Sequence, residues 1–308
     1  MPETCQSILA SASRRLQGLA GHVFDLLTVS KPISPAAAVN LSKVISKLSP
    51  LLGNLIEFNT VEYLNDQPEY AGLGTWFRQD PGFPDTVFLS PQITPTPGFE
   101  IKAWFPLATE ITARFKDSQN HFAEDQTSVC MLAWLPDHLI YGKPKLIDVC
   151  IVSGLSVAQA RDAHYHNPPD YLVLEPEDTA DRTRNLQQTN TNGYKWQGTA
   201  AQFSEAQRFV SSWGEGGRIY KPTSDYQALL RQLINRYPYR LDTNFAKMDR
   251  IEHAGIEAFK QRVMRTPFHG QTIGEWGRLL SRGSDEEIRQ TLENYFDIRD
   301  EDIAEILA

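Results

Sequence analysis

Glu100 and Lys102 lie two residues apart in the run Gly98-Phe99-Glu100-Ile101-Lys102-Ala103-Trp104. Side chains at i and i+2 of a strand share one face. A carboxylate and an ammonium therefore stand side by side, with Ile101 turned the other way into a core. Among the lysines, only Lys102 has a carboxylate two positions before it. A second carboxylate, Asp85 of Pro84-Asp85, precedes the β-prone run Thr86-Val87-Phe88-Leu89, and 14 residues separate it from Glu100. That is room for two short strands, or a strand and a return loop. Two carboxylates can hold a divalent cation, and an ammonium beside them can position or activate a water. These are the parts that metal-assisted phosphodiester hydrolysis requires. The competing reading of Glu100 and Lys102 is an ion pair on a solvated sheet face.

The elements that must position these groups are read from spacing and punctuation. Residues 1–65 read as helical, with Pro35 and Pro50 each opening a segment where a first helical turn tolerates proline. Five prolines between positions 81 and 97 and short β-rich pieces mark a change of texture before the strand that carries Glu100. Leu107, Ile111 and Phe115 then follow helical spacing over 106–116. Strands are expected over 128–135, 145–155 and 171–176, with a short helix capped by Ser156 between the last two. Strands alternating with helices indicate an α/β core with part of its sheet parallel. Helices resume after Lys221, one of them over 245–264, and Ser284-Asp285-Glu286-Glu287 matches a capping box.

The pattern Pro84-Asp85 … Glu100-Ile101-Lys102 resembles the PD-(D/E)XK nuclease superfamily, whose motif is Pro-Asp, a spacer, then Asp/Glu-x-Lys. The resemblance covers roughly residues 50–176. It implies a restriction-endonuclease-like α/β core, a central mixed β-sheet flanked by helices, with helical N- and C-terminal additions. It also implies that Asp85 and Glu100 bind Mg²⁺ and that Lys102 serves the attacking water. The superfamily often adds a glutamate on the first core helix after a glycine. Gly53-Asn54-Leu55-Ile56-Glu57 nominates Glu57 for this role, while Glu62 competes by continuing the stripe Leu48, Leu51, Leu55 and Phe58. Chains of this length wrapped around such a core resemble type II restriction endonucleases. The implied partners are double-stranded DNA, a second copy of the chain to cut both strands, and a companion DNA methyltransferase.

Base readout in the major groove uses Arg, Asn and Gln, with Lys on phosphates. The polar stretch 177–203 concentrates those types in Arg182, Arg184, Asn185, Gln187, Gln188, Asn190, Asn192 and Lys195, and reads as a recognition loop or as a solvated surface loop. The whole chain is then one nuclease domain over 1–308. A helical part spans 1–65, the catalytic core about 50–176, the recognition loop 177–203, and a helical C-terminal part about 221–308.

Composition bounds this reading. Apolar residues at 41% and charged residues at 22% exclude bulk disorder. A net charge of −8 excludes a uniformly basic nucleic-acid coat. The charge is uneven, with nine Lys and Arg against five Asp and Glu over 221–271, and two against nine over 284–308. Three scattered cysteines without a CxxC build neither a disulfide framework nor a zinc site. No apolar run approaches a membrane span, so a cytoplasmic protein is expected. Two rival functions remain open at this stage. One is a structure-specific repair or recombination nuclease of the same fold, and the other a non-catalytic DNA-binding protein.

Overall fold

The computed structural model describes residues 3–79, 82–107, 122, 124–165, 173–174, 194–196, 199–213, 239–241 and 252–298, with isolated positions 225, 228, 229, 232, 233 and 236. The chain divides into two compact units. One comprises Met1–Ile111, Gln126–Val152 and Ala254–Ala308, and the other Thr112–Asp125 and Ser153–His253.

Helix α1 (Cys5–Gln17) starts at Thr4, whose hydroxyl caps the Ser7 amide, and buries Ile8, Leu9, Ala12 and Leu16. Helix α2 (Pro35–Val44) is capped by Ser34 and carries Pro35 in its first turn as expected. A 3-10 turn (Ile45–Leu48) leads into α3 (Ser49–Asn65). The expectation of helix throughout 1–65 fails over 18–34. There Val23 and Val29 form isolated bridges to Lys145 and Gly142. Gly18, Gly21 and Pro32 disfavour helix across this stretch, and its β-branched residues find strand partners instead.

Helix α3 buries a different stripe from the one that Glu62 continues. The buried residues are Leu52, Gly53, Ile56, Thr60, Val61 and Leu64. Leu51 and Phe58, by contrast, are exposed. A helix apolar on two sides does not announce in sequence which side is core.

The first unit is centred on a five-stranded sheet of order β1 (Thr75–Arg78), β2 (Thr86–Leu89), β3 (Gly98–Trp104), β4 (Thr127–His138), β5 (Tyr141–Ser153). β1–β2 and β2–β3 are antiparallel, whereas β3 and β4 run parallel from Gly98↔Thr127 to Trp104↔Ala133. The sheet is therefore mixed, as expected. A parallel pair needs a crossover connection, and most of the helix expected over 106–116 lies outside the described residues. β4 extends beyond the expected 128–135 at both ends, whereas β5 starts four residues before the expected 145 and ends at Ser153, two short of 155. The run from Val129 to Leu135 is buried at every residue, as in a strand covered on both faces. Gly142, the second residue of β5, has φ +99°, and a Cβ there would collide with Asp137 Oδ1 at the end of β4.

Helix α4 (Gly154–Tyr165) follows in the second unit. Its cap is Ser153 rather than the expected Ser156, since the Ser153 hydroxyl accepts from the Ser156 amide at 3.2 Å. A three-stranded sheet joins β6 (Val173–Leu174), β7 (Tyr194–Trp196) and β8 (Tyr239–Leu241), with β6–β7 parallel and β7–β8 antiparallel. The stretch 177–203 is therefore not all loop. Tyr194 and Trp196 favour a strand, and α5 (Ala200–Ser211) begins inside it behind a Thr199/Gln202 capping box.

The chain returns to the first unit at Ala254 with α6 (Ala254–Arg265). This helix starts later than the expected 245, since Glu252 and His253 are not helical and 245–251 lie outside the described residues. A short hairpin, β9 (Pro267–Phe268) and β10 (Gln271–Thr272), precedes α7 (Ile273–Arg282) and α8 (Asp285–Phe296). The Ser284/Glu287 capping box of α8 is formed as read from sequence. Helices cover the sheet from both sides. Gly53 of α3 meets Ala103, and on the opposite face Trp104 lies 5.7 Å from the ring of Phe259 in α6. Among the described residues, no helix is long and apolar enough to cross a membrane.

Candidate active site at the open edge of the central sheet

The pairing of β2 with β3 covers only Thr86↔Phe99 and Val87↔Gly98, yet β3 continues to Trp104. Beyond Phe99, the β3 amides facing that side need other acceptors. Carboxylates supply them. Ile101 N donates to Asp85 Oδ2 at 2.7 Å, and Ala103 N makes a longer contact of 3.5 Å with Glu57 Oε1. The sheet opens at the point where the sequence places its acidic residues.

Gly98 makes this approach possible. A Cβ there would lie 2.6 Å from Pro84 Cγ, so only glycine lets the Pro84-Asp85 turn come so close to β3. Extending the β2–β3 register by one residue sets Asp85 opposite Glu100. Gln79 holds the turn from outside, through its backbone amide to Asp85 O at 2.8 Å and its side-chain amide to Pro84 O at 2.9 Å.

Lys102 joins the two carboxylates. Its Nζ lies 2.9 Å from Asp85 Oδ2 and 2.8 Å from Glu100 Oε1. Glu100 is only 5% exposed, and its other oxygen, Oε2, is buried without a hydrogen-bond partner. A buried carboxylate oxygen left unmatched is costly unless a proton or a cation serves it. Burial pushes Glu100 up to about 7; Lys102 pulls against that rise and Asp85 adds to it. Burial likewise raises Glu57 to about 7, opposed by Lys102 and reinforced by Asp85. For Lys102, burial acts to lower the pKa, but Glu100, Asp85 and Glu57 together outweigh it and hold the ammonium above its ordinary value. The ammonium stays charged while Glu100 and Glu57 titrate near neutrality.

The expected residues Asp85, Glu100, Lys102 and Glu57 are thus brought to one place. Of the two helical candidates, Glu57 faces this cleft and Glu62 is exposed. The cleft encloses about 290 Å³ and is lined by Glu57, Asp85 and Ile101, together with Asn54, Arg78 and Gln79. The last three were not visible as site residues in the sequence. Arg78 is brought there by the register Arg78↔Thr86, one residue from Asp85, and only strand pairing reveals it.

Two carboxylates sharing one ammonium, with a spare buried oxygen, are a hard-oxygen donor set suited to Mg²⁺, which usually keeps several waters and takes only one or two carboxylates. Among the described residues, no group of three or more His, Cys, Asp or Glu side chains forms a ready-made metal cluster. Of the expected DNA-reading residues, Arg182, Arg184, Asn185, Gln187, Gln188, Asn190 and Asn192 lie outside the described residues. Lys195 sits in strand β7, opposite Arg240 of β8, rather than in a loop. No protein-family model matches the chain, and comparison with curated proteins and with solved structures gives no match.

Proposed function

We propose that this chain is a Mg²⁺-dependent endodeoxyribonuclease that cuts double-stranded DNA at a fixed sequence, in the manner of a type II restriction enzyme on a PD-(D/E)XK core. The observation that carries this reading is the convergence of Asp85 and Glu100 on Lys102 Nζ at the open edge of β3. Asp85 and Glu100 would hold the ion, which when bound polarises a phosphate and lowers the pKa of a water. Displaced from between the carboxylates, the Lys102 ammonium would orient the attacking water and offset the extra negative charge of the transition state. Arg78, in the wall of the same cleft, would take a phosphate oxygen. Glu57, poised near neutrality, would accept or hold a proton at its Oε atoms. A companion methyltransferase of matching specificity would protect the host sequence.

The test is digestion of plasmid DNA with and without Mg²⁺, with D85A as control. Discrete bands that need both Mg²⁺ and Asp85 support the proposal. A smear would favour a nuclease reading DNA structure instead. Intact plasmid with purified, folded protein, or an equally active D85A, would refute the assigned site.

A further inference from the structure

The exposed side of α3 carries a pattern that the nuclease reading does not use. Leu51 is 55% exposed, Phe58 is 44% exposed, and Leu55 is half-buried between them. Their spacing of four and three residues places them on one face of the helix, opposite the buried Leu52, Ile56 and Thr60. One turn before Leu51, in the 3-10 turn that leads into α3, stands exposed Lys47; one turn after Phe58 stands exposed Glu62. Neither forms an ion pair among the described residues. The face therefore reads basic, apolar, apolar, apolar, acidic along its length.

That order is self-complementary. If two copies of α3 run antiparallel about a two-fold axis between positions 54 and 55, Leu51 of each meets Phe58 of the other. The same register brings Lys47 of each opposite Glu62 of the other. A closed two-fold interface requires one patch to match itself in this reversed sense. We infer that the Lys47–Glu62 face of α3 is a homodimer interface, with Leu51, Leu55 and Phe58 at its centre and two reciprocal Lys47–Glu62 pairs at its rim. The inference uses neither metal nor nucleic acid, and its test is separate from the cleavage assay.

Sedimentation velocity on the full chain, without Mg²⁺ or DNA, reads the outcome. The wild type should sediment as a dimer. L51E and F58E each place a charge at the apolar centre and should raise the dissociation constant at least about 100-fold, with the circular dichroism spectrum unchanged. K47E sets like charges together at both rim contacts, as does E62K, and each should weaken the dimer at least about tenfold. Mixing K47E protein with E62K protein puts opposite charges at both contacts and should restore a dimer, as should the double variant K47E/E62K. A monomeric wild type, a folded L51E or F58E that dimerises normally, or charge variants that fail to rescue one another would each overturn the assignment.

Discussion

Replacing Glu57 by glutamine should make the metal-free protein more stable at high pH. Glu57 is held at about 7 against an ordinary 4.5 because burial disfavours its charged form. The folded chain therefore binds more protons than the unfolded chain between those values. The stability that protonated Glu57 contributes is full below about pH 4.5 and is lost as the pH rises through about 7. Glutamine is neutral throughout and keeps an oxygen for the Ala103 amide. At roughly 1.4 kcal/mol for each pH unit, the gap between E57Q and wild type has a ceiling of about 3 kcal/mol. It should be near zero below pH 4.5 and full above pH 7. Urea unfolding of both proteins in EDTA over this range measures it, and the Glu100 titration, common to both, cancels to first order. Excess Mg²⁺ should narrow the gap by neutralising the charged site. A gap that does not change with pH, or an E57Q protein less stable than wild type above pH 7, would show that Glu57 is not a strained buried carboxyl.

Three further outcomes follow from the site. K102A should lose at least about 100-fold in cleavage rate while Mg²⁺ binding by titration calorimetry is retained or tightened, because the ammonium no longer competes for both carboxylates; wild-type cutting by K102A would mean the chemistry lies elsewhere. G98A should push Pro84 away from β3, costing about 1–3 kcal/mol in stability and weakening Mg²⁺ binding through Asp85, and an unaltered Mg²⁺ affinity would contradict the tight approach of the turn. R78A should weaken DNA binding in EDTA and reduce the slope of log affinity against log salt by about 1, and a slope equal to wild type in fluorescence anisotropy would remove Arg78 from the phosphate-binding wall.

The pairing of Glu100 with Lys102 on β3 was legible because strand alternation alone puts them on one face. Asp85 was legible through its neighbour Pro84 and its place before a β-prone run, although its bond to the Ile101 amide depends on where the β2–β3 ladder stops. Arg78, Gln79 and Asn54 were hidden because they arrive from other elements by pairing and packing, which no local spacing encodes. Helix α3 was half legible. Its stripe of Leu48, Leu51, Leu55 and Phe58 is present, but a second stripe of Leu52, Ile56 and Leu64 took the core. The strand at Tyr194–Trp196 was masked by its polar flanks. The helix after it was signalled by Thr199 and Gln202, a capping pair lost within a run of similar residues.

The amides of Ile101 and Ala103, directed at Asp85 and Glu57 where the ladder ends, give the site its own spectroscopic gauges. An amide proton bonded to a carboxylate moves in chemical shift when that carboxylate gains a proton or a cation. In a two-dimensional nitrogen–proton spectrum, Ile101 should therefore track the state of Asp85, and Ala103 that of Glu57, as separate peaks in one sample. The states of the two carboxylates can be followed independently, residue by residue, with no substrate present.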